Sequence, residues 1–69
     1  MDLSNVTPKR AYFRIVQMGH GWHVTRPNAS LSHGFNSLDD AVAFVRNDDR
    51  TATVVEIVAD GVYMVKRID

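Results

Sequence analysis

The chain reads as a single α+β domain: an antiparallel sheet of four strands, five if residues 31–35 also pair, with one helix on one face, in the order β-β-(β)-α-β-β. Three features of the sequence predict it. Stretches rich in β-branched and aromatic residues flank the glycine turn Gly19-His20-Gly21, one capped amphipathic stripe follows Ser37, and a second strand pair flanks Asp60-Gly61. The chain has 69 residues, no cysteine and 45% hydrophobic content. That length holds one core, which buries only about 60% of the surface exposed by the unfolded chain, and no disulfide framework or thiolate metal cluster reinforces it. Eight basic side chains balance eight acidic ones. This removes the general electrostatic argument for nucleic acid, which depends on a basic excess.

Residues 1–10 are polar, with an isolated Val6 and with Pro8 removing a backbone donor, and read as a flexible N-terminal arm ahead of a domain over 11–69. Tyr12-Phe13-Arg14-Ile15-Val16-Gln17 is the first strand and Trp22-His23-Val24-Thr25-Arg26 the second, stopped by Pro27-Asn28. A two-residue loop at Gly19-His20 and a four-residue loop from Met18 to Gly21 both set Gln17 opposite Trp22 and Ile15 opposite Val24. Phe13, Ile15, Trp22 and Val24 then share the core face, with Trp22 read as core rather than as a stacking residue for a ligand.

Leu31-Ser32-His33-Gly34-Phe35 alternates weakly, as a short third strand would. Ser37 caps a helix in which Leu38, Ala41, Val42 and Val45 fall at i, i+3, i+4 and i+7, with Phe44 on the flank. Asp39 and Asp40 lie where the helix dipole favours negative charge, and adjacent helical residues point about 100° apart, so capping explains them better than paired acid-base catalysis. The polar break Asn47-Asp48-Asp49-Arg50 reads as solvated. Thr53–Ala59 and Val62–Ile68 form the closing hairpin. Its turn pairs Ala59 with Val62, Ile57 with Met64 and Val55 with Lys66 on one face, and Val58 with Tyr63, Glu56 with Val65 and Val54 with Arg67 on the other.

One short helix covers one side of a sheet, and the other side meets water or a partner. That side carries Tyr12, Val16, Val54, Val58, Tyr63 and Val65, interrupted by Arg14, His23, Thr25, Glu56 and Arg67. Burying a valine-sized side chain is worth about 1.5–3 kcal/mol, so a face with four valines favours an interaction surface over a wetted one. The residues assigned to it are Tyr12, Arg14, Val16, His23, Glu56, Val58, Tyr63, Val65 and Arg67. The expected partner is a second copy, giving a homodimer, or another protein. The alternative is a single-stranded nucleic-acid platform in which Tyr12, Tyr63 and His23 stack on bases while Arg14, Arg67 and Arg26 meet phosphates; Glu56 and the neutral charge count against it.

Catalysis is not expected. Glu56, the only glutamate, has Arg67 and Tyr63 as diagonal cross-strand neighbours, and an ion pair or interface hydrogen bond suits it better than a general-base role, since nothing nearby supplies a nucleophile. His20, His23 and His33 lack the spacing that aims three imidazoles at one zinc, and Gly19, Gly21 and Gly34 do not form a phosphate loop. No cofactor or metal is implied. The N-terminus lacks the pattern of a signal peptide and no run of about 18 apolar residues occurs, so a cytoplasmic location without membrane attachment is expected.

The run from Tyr12 to Arg67, with Gly21-Trp22-His23-Val24, the helix entry Phe35-Asn36-Ser37-Leu38-Asp39-Asp40-Ala41 and the Asp60-Gly61 hairpin, resembles a family of short uncharacterised bacterial proteins classed as a domain of unknown function. The stretch from Tyr12 to Arg46 also resembles the N-terminal half of HicB-type antitoxins, where a hairpin and a Pro-containing loop precede a helix opened by an acidic pair; Gly34 to Ala41 carries that likeness. The second resemblance implies binding to a toxin nuclease, without the DNA-binding segment such proteins usually add. Both resemblances imply a non-catalytic protein.

Overall fold

Two tight turns set the pairing of the sheet in a computed structural model that describes residues 12–69. The arm expected over residues 1–10 lies outside the described residues. Gly19 has φ 61° in the first turn, whose flanking residues Met18 and Gly21 pair. Positive φ at the first central position alone is the pattern of a type II′ turn, which needs glycine there. The turn joins β1 (Phe13–Met18) to β2 (Gly21–Thr25), with Ile15 opposite Val24 and Gln17 opposite Trp22 as the sequence predicts. In the second turn Asp60 and Gly61 both take positive φ, 52° and 75°, and join β4 (Val54–Ala59) to β5 (Val62–Arg67) in the predicted register.

Ser32–Phe35 forms β3, which pairs antiparallel with β2, so among the described residues the sheet has five strands. Gly21 passes close to it: a Cβ there would stand 3.0 Å from the Phe35 carbonyl oxygen, too near for comfortable packing. Helix α1 (Leu38–Asp48) begins at Ser37, whose hydroxyl accepts from the Asp40 backbone N–H at 3.1 Å. Asp39 and Asp40 occupy its first turn and Arg46 its last, matching the helix dipole at both ends.

The sheet order is β3-β2-β1-β4-β5, and β1 pairs with β4 in parallel, with Arg14 opposite Glu56 and Ile15 opposite Ile57. This corrects the expectation of a purely antiparallel sheet. Its cause is direction. Each hairpin reverses the chain, so β3 runs with β1; α1 brings the chain back, and β4 sets out along β1 again. Once β2 is enclosed by β1 and β3, a strand of that direction joins the free edge of β1 in parallel.

Phe13, Ile15, Val24, Val55 and Ile57 from the three central strands are buried with Ala41 and Val45 of α1. Trp22, Phe35, Leu38, Val42 and Phe44 pack around them. The backbone of α1 lies nearest β2 and β3, so it is displaced towards the β3 edge. Ile15 is fully enclosed at the centre of this layer. Ile15→Ala should cost about 2–5 kcal/mol in urea unfolding, with the far-ultraviolet spectrum of the folded state retained.

Candidate functional site

Strand pairing arranges the helix-free face in rows. His23, Val16, Val58 and Tyr63 lie side by side across β2, β1, β4 and β5, and Thr25, Arg14, Glu56 and Val65 form the next row. Val54 and Arg67 pair beyond them, and Tyr12 lines a shallow cleft with Val54. The residues assigned to this surface from the sequence are therefore brought to one face. They are not equally available to a partner. Val16, Val54 and Val58 are half-buried by neighbouring side chains, and His23 lies over Gly34, whose missing side chain leaves room for the ring.

Exposure is concentrated on β5. All six of its residues are exposed, and the run Val62, Tyr63, Met64 and Val65 is 54%, 56%, 43% and 52% accessible, covering both faces of the strand. The strand lies at the sheet edge away from the helix, and α1 meets only its far end, where Leu38, Asp39 and Val42 line a cleft with Lys66 and Arg67. Among the described residues no strand pairs with its outer side. The Ile68 N–H donates to the Thr53 carbonyl at 2.8 Å, which fixes the alternation of the ladder. Val62, Met64 and Lys66 turn their backbone groups towards β4, while Tyr63, Val65 and Arg67 turn theirs outward. The opposite edge, β3, has only four residues, Ser-His-Gly-Phe, a short polar edge of the kind that discourages pairing.

Glu56 is buried, at 8% exposure, in the middle of the helix-free face. Arg67, the diagonal neighbour foreseen from the hairpin, is not its partner; that guanidinium binds Asp69 at 2.9 Å. Instead the Tyr63 hydroxyl donates to Glu56 Oε2, and Arg14 Nε lies 3.7 Å from Oε1. The parallel β1–β4 pairing sets Arg14 directly across from Glu56, a neighbour that an antiparallel sheet made of separate hairpins does not supply. At 3.7 Å the two attract without a hydrogen bond, and both atoms are buried and otherwise unpartnered. Tyr63 is thereby tied to the sheet by its hydroxyl while its ring stays exposed. The hydrogen bond to Glu56, and then burial of the hydroxyl, raise its pKa above the ordinary 10.0.

A second polar cluster was not foreseen. Asp48, expected to be solvated, accepts two hydrogen bonds from Arg26, at 2.9 and 2.8 Å. Arg26 also reaches His33 Nε2 at 3.0 Å and lies 5.2 Å from the Phe44 ring centroid, while Phe44 packs against His33 and Phe35. The cluster ties the end of β2 to the last turn of α1 and to β3. Arg26 and Asp48 are 22 residues apart, with no periodicity to connect them; only a basic residue just past a strand and an acidic one at a helix end hinted at it. The hydrogen bonds from Arg26 hold the Asp48 carboxyl below its ordinary pKa of 3.8.

His20 is exposed in the first turn, His23 lies on the sheet face and His33 in the Arg26 cluster. Among the described residues no group of three or more His, Asp or Glu side chains is placed to hold a metal ion. Asp39 and Asp40 are exposed on the first helical turn. No helix among the described residues is long and apolar enough to cross a membrane. No family model matches the chain, and no curated protein or solved structure matches it significantly.

Two titrations check these contacts. Because folding raises the pKa of Tyr63, its contribution to stability is fully present below pH 10.0 and is lost as pH rises through the folded value. Phenolate absorbance should show one tyrosine titrating above its ordinary range in the wild type, and Glu56→Gln should lower that midpoint. For Asp48 the sign is opposite: its contribution is present above pH 3.8 and is lost as pH falls through the depressed folded value. The stability gap between wild type and Asp48→Asn should therefore narrow in acid unfolding below that pH.

Proposed function

We propose that this chain is a small non-catalytic protein-protein interaction module whose contact surface is the open edge strand β5 together with the adjoining helix-free face, and that it self-associates through it. The observation that carries this reading is β5 itself: a six-residue edge strand with four consecutive exposed apolar residues and outward-facing main-chain donors and acceptors at Tyr63, Val65 and Arg67. Sheet edges of this kind are templates for strand addition, and main-chain pairing supplies affinity while side chains select the partner. The rest of the helix-free face supports it. The half-buried row Val16-Val58 continues the apolar surface inward from Tyr63, and Glu56 fixes the tyrosine ring through its hydroxyl, so the anchor is held before a partner arrives.

The alternative nucleic-acid reading draws less support from the same face. Arg14 faces Glu56 and Arg67 binds Asp69, so the two cations that would meet phosphates are already beside carboxylates. A pairing surface for protein needs no excess of positive charge, and the chain has none.

Sedimentation equilibrium from micromolar to about 1 mM, the range suited to a small interface, tests the proposal. The weight-average mass should climb from that of one chain towards twice that value. Val65→Lys should hold the mass at the monomer without loss of the folded spectrum, because it places a charge on the exposed strand. A wild type that stays monomeric throughout the range removes self-association.

A further inference from the structure

The distribution of charge along β5 identifies how two copies would meet. The strand starts at an acidic turn, Asp60-Gly61, continues through the apolar run Val62-Tyr63-Met64-Val65 and ends in the basic pair Lys66-Arg67. Read backwards it is complementary to itself. An antiparallel second copy sets the basic end of each strand beside the acidic turn of the other, whereas a parallel copy sets like against like. Among the described residues, neither Asp60 nor Lys66 has an ion-pair partner within its own chain.

The backbone narrows the choice further. Outward-facing groups belong to Tyr63, Val65 and Arg67, and an antiparallel ladder forms only where outward-facing residues oppose one another. This allows a two-fold axis at a residue and forbids one between residues. An axis at Tyr63 would set Val65 against the turn residue Gly61 and pair only Val62 to Met64 of the strand, and one at Val65 would set Tyr63 against Arg67 and leave the apolar run half unmatched. An axis at Lys66 would oppose two ammonium groups. With the axis at Met64, Tyr63 meets Val65 of the other copy, Met64 meets its own counterpart, and Lys66 meets Val62 with Asp60 diagonally beyond it, within reach of a lysine side chain.

We infer that β5 pairs antiparallel with β5 of a second copy about a two-fold axis through Met64, joining the two sheets into one ten-stranded sheet with Lys66 of each copy beside Asp60 of the other. The inference rests on the self-association proposed above and adds the partner strand, its direction and its register. Two reciprocal Tyr63–Val65 pairs supply four main-chain hydrogen bonds, and their side chains extend the apolar rows of both helix-free faces across the junction. The helix, displaced towards β3, leaves room for this edge to be shared.

The full chain has no cysteine, so a single introduced thiol reports the register directly. Met64 and its counterpart form a non-hydrogen-bonded pair, whose Cα atoms lie about 4.5 Å apart, within disulfide reach. Tyr63 and Val65 would each lie roughly 9 Å from their own counterparts, beyond it. Met64→Cys, Tyr63→Cys and Val65→Cys are to be oxidised mildly at a concentration where the wild-type mass exceeds that of a monomer, and read on a non-reducing gel. The expected result is a covalent dimer from Met64→Cys at several times the yield of the other two, with Lys66→Asp weakening wild-type association. If the wild type associates but cross-linking is strongest at Val65 or Tyr63, or absent from all three, the Met64 register is overturned and self-association stands. If the wild type is monomeric at every concentration, both fall together.

Discussion

Among the described residues a single helix crosses a five-stranded sheet, and the rest of the structure follows from that constraint. A helix with its side chains is about 10–12 Å across, and neighbouring strands are about 4.8 Å apart, so one helix shields two or three strands and cannot shield five. The buried residues obey that arithmetic. They come from β1, β2 and β4 on the sheet side and from Ala41 and Val45 on the helix. The cover is also off centre, because α1 leaves β3 by a two-residue connection and is then tied down by Arg26-Asp48 and the Phe35–Phe44 contact. The helix therefore rests nearer β3 than β5, and the apolar run of β5 stays exposed.

The central parallel pair gives the molecule its unity. Without β1–β4 the β4–β5 hairpin would be detached from the β1-β2-β3 meander and its helix, and an isolated two-stranded hairpin is at best marginally stable in water. With it, Ile15 and Ile57 sit side by side beneath α1, and on the reverse face Arg14 sits across from Glu56. The same pairing therefore builds the core and places Glu56, the one buried acidic residue among the described residues. A buried carboxyl group in that position leans on both the Arg14 guanidinium and the Tyr63 hydroxyl, since removing either leaves one of its oxygens without its neighbour. Glu56 contributes placement more than stability: it fastens the hydroxyl of Tyr63 to the middle of the sheet and leaves the ring outside.

The exposed surface is accordingly a property of one strand more than of a whole face. Three of the four valines on the helix-free side are half-covered by neighbours in adjacent strands, which is what β-branched residues do on any pleated layer, and they require no partner. The apolar run on β5 differs because it lacks a neighbour strand on one side and lacks the helix above it. Its exposed side chains and its outward-facing hydrogen-bonding groups lie in the same place, and that coincidence distinguishes a pairing edge from an ordinary greasy surface.

Local chemistry was legible in the sequence. Both hairpin registers followed from the glycines at their turns, the helix followed from Ser37 and the Leu38-Ala41-Val42-Val45 stripe, and the division of residues between two faces followed from the period of two along each strand. These depend on residues within about a dozen positions of one another, where sterics and periodicity act directly. What only the tertiary structure decided was how the two hairpins join and where the helix comes to rest. The parallel pairing of β1 with β4 made Arg14 the partner of Glu56, the 22-residue reach from Arg26 gave Asp48 of the exposed polar break a partner, and the offset of α1 left the apolar run of β5 exposed. Each of these depends on the direction and position of elements distant along the chain, and no turn type or hydrophobic period records that information.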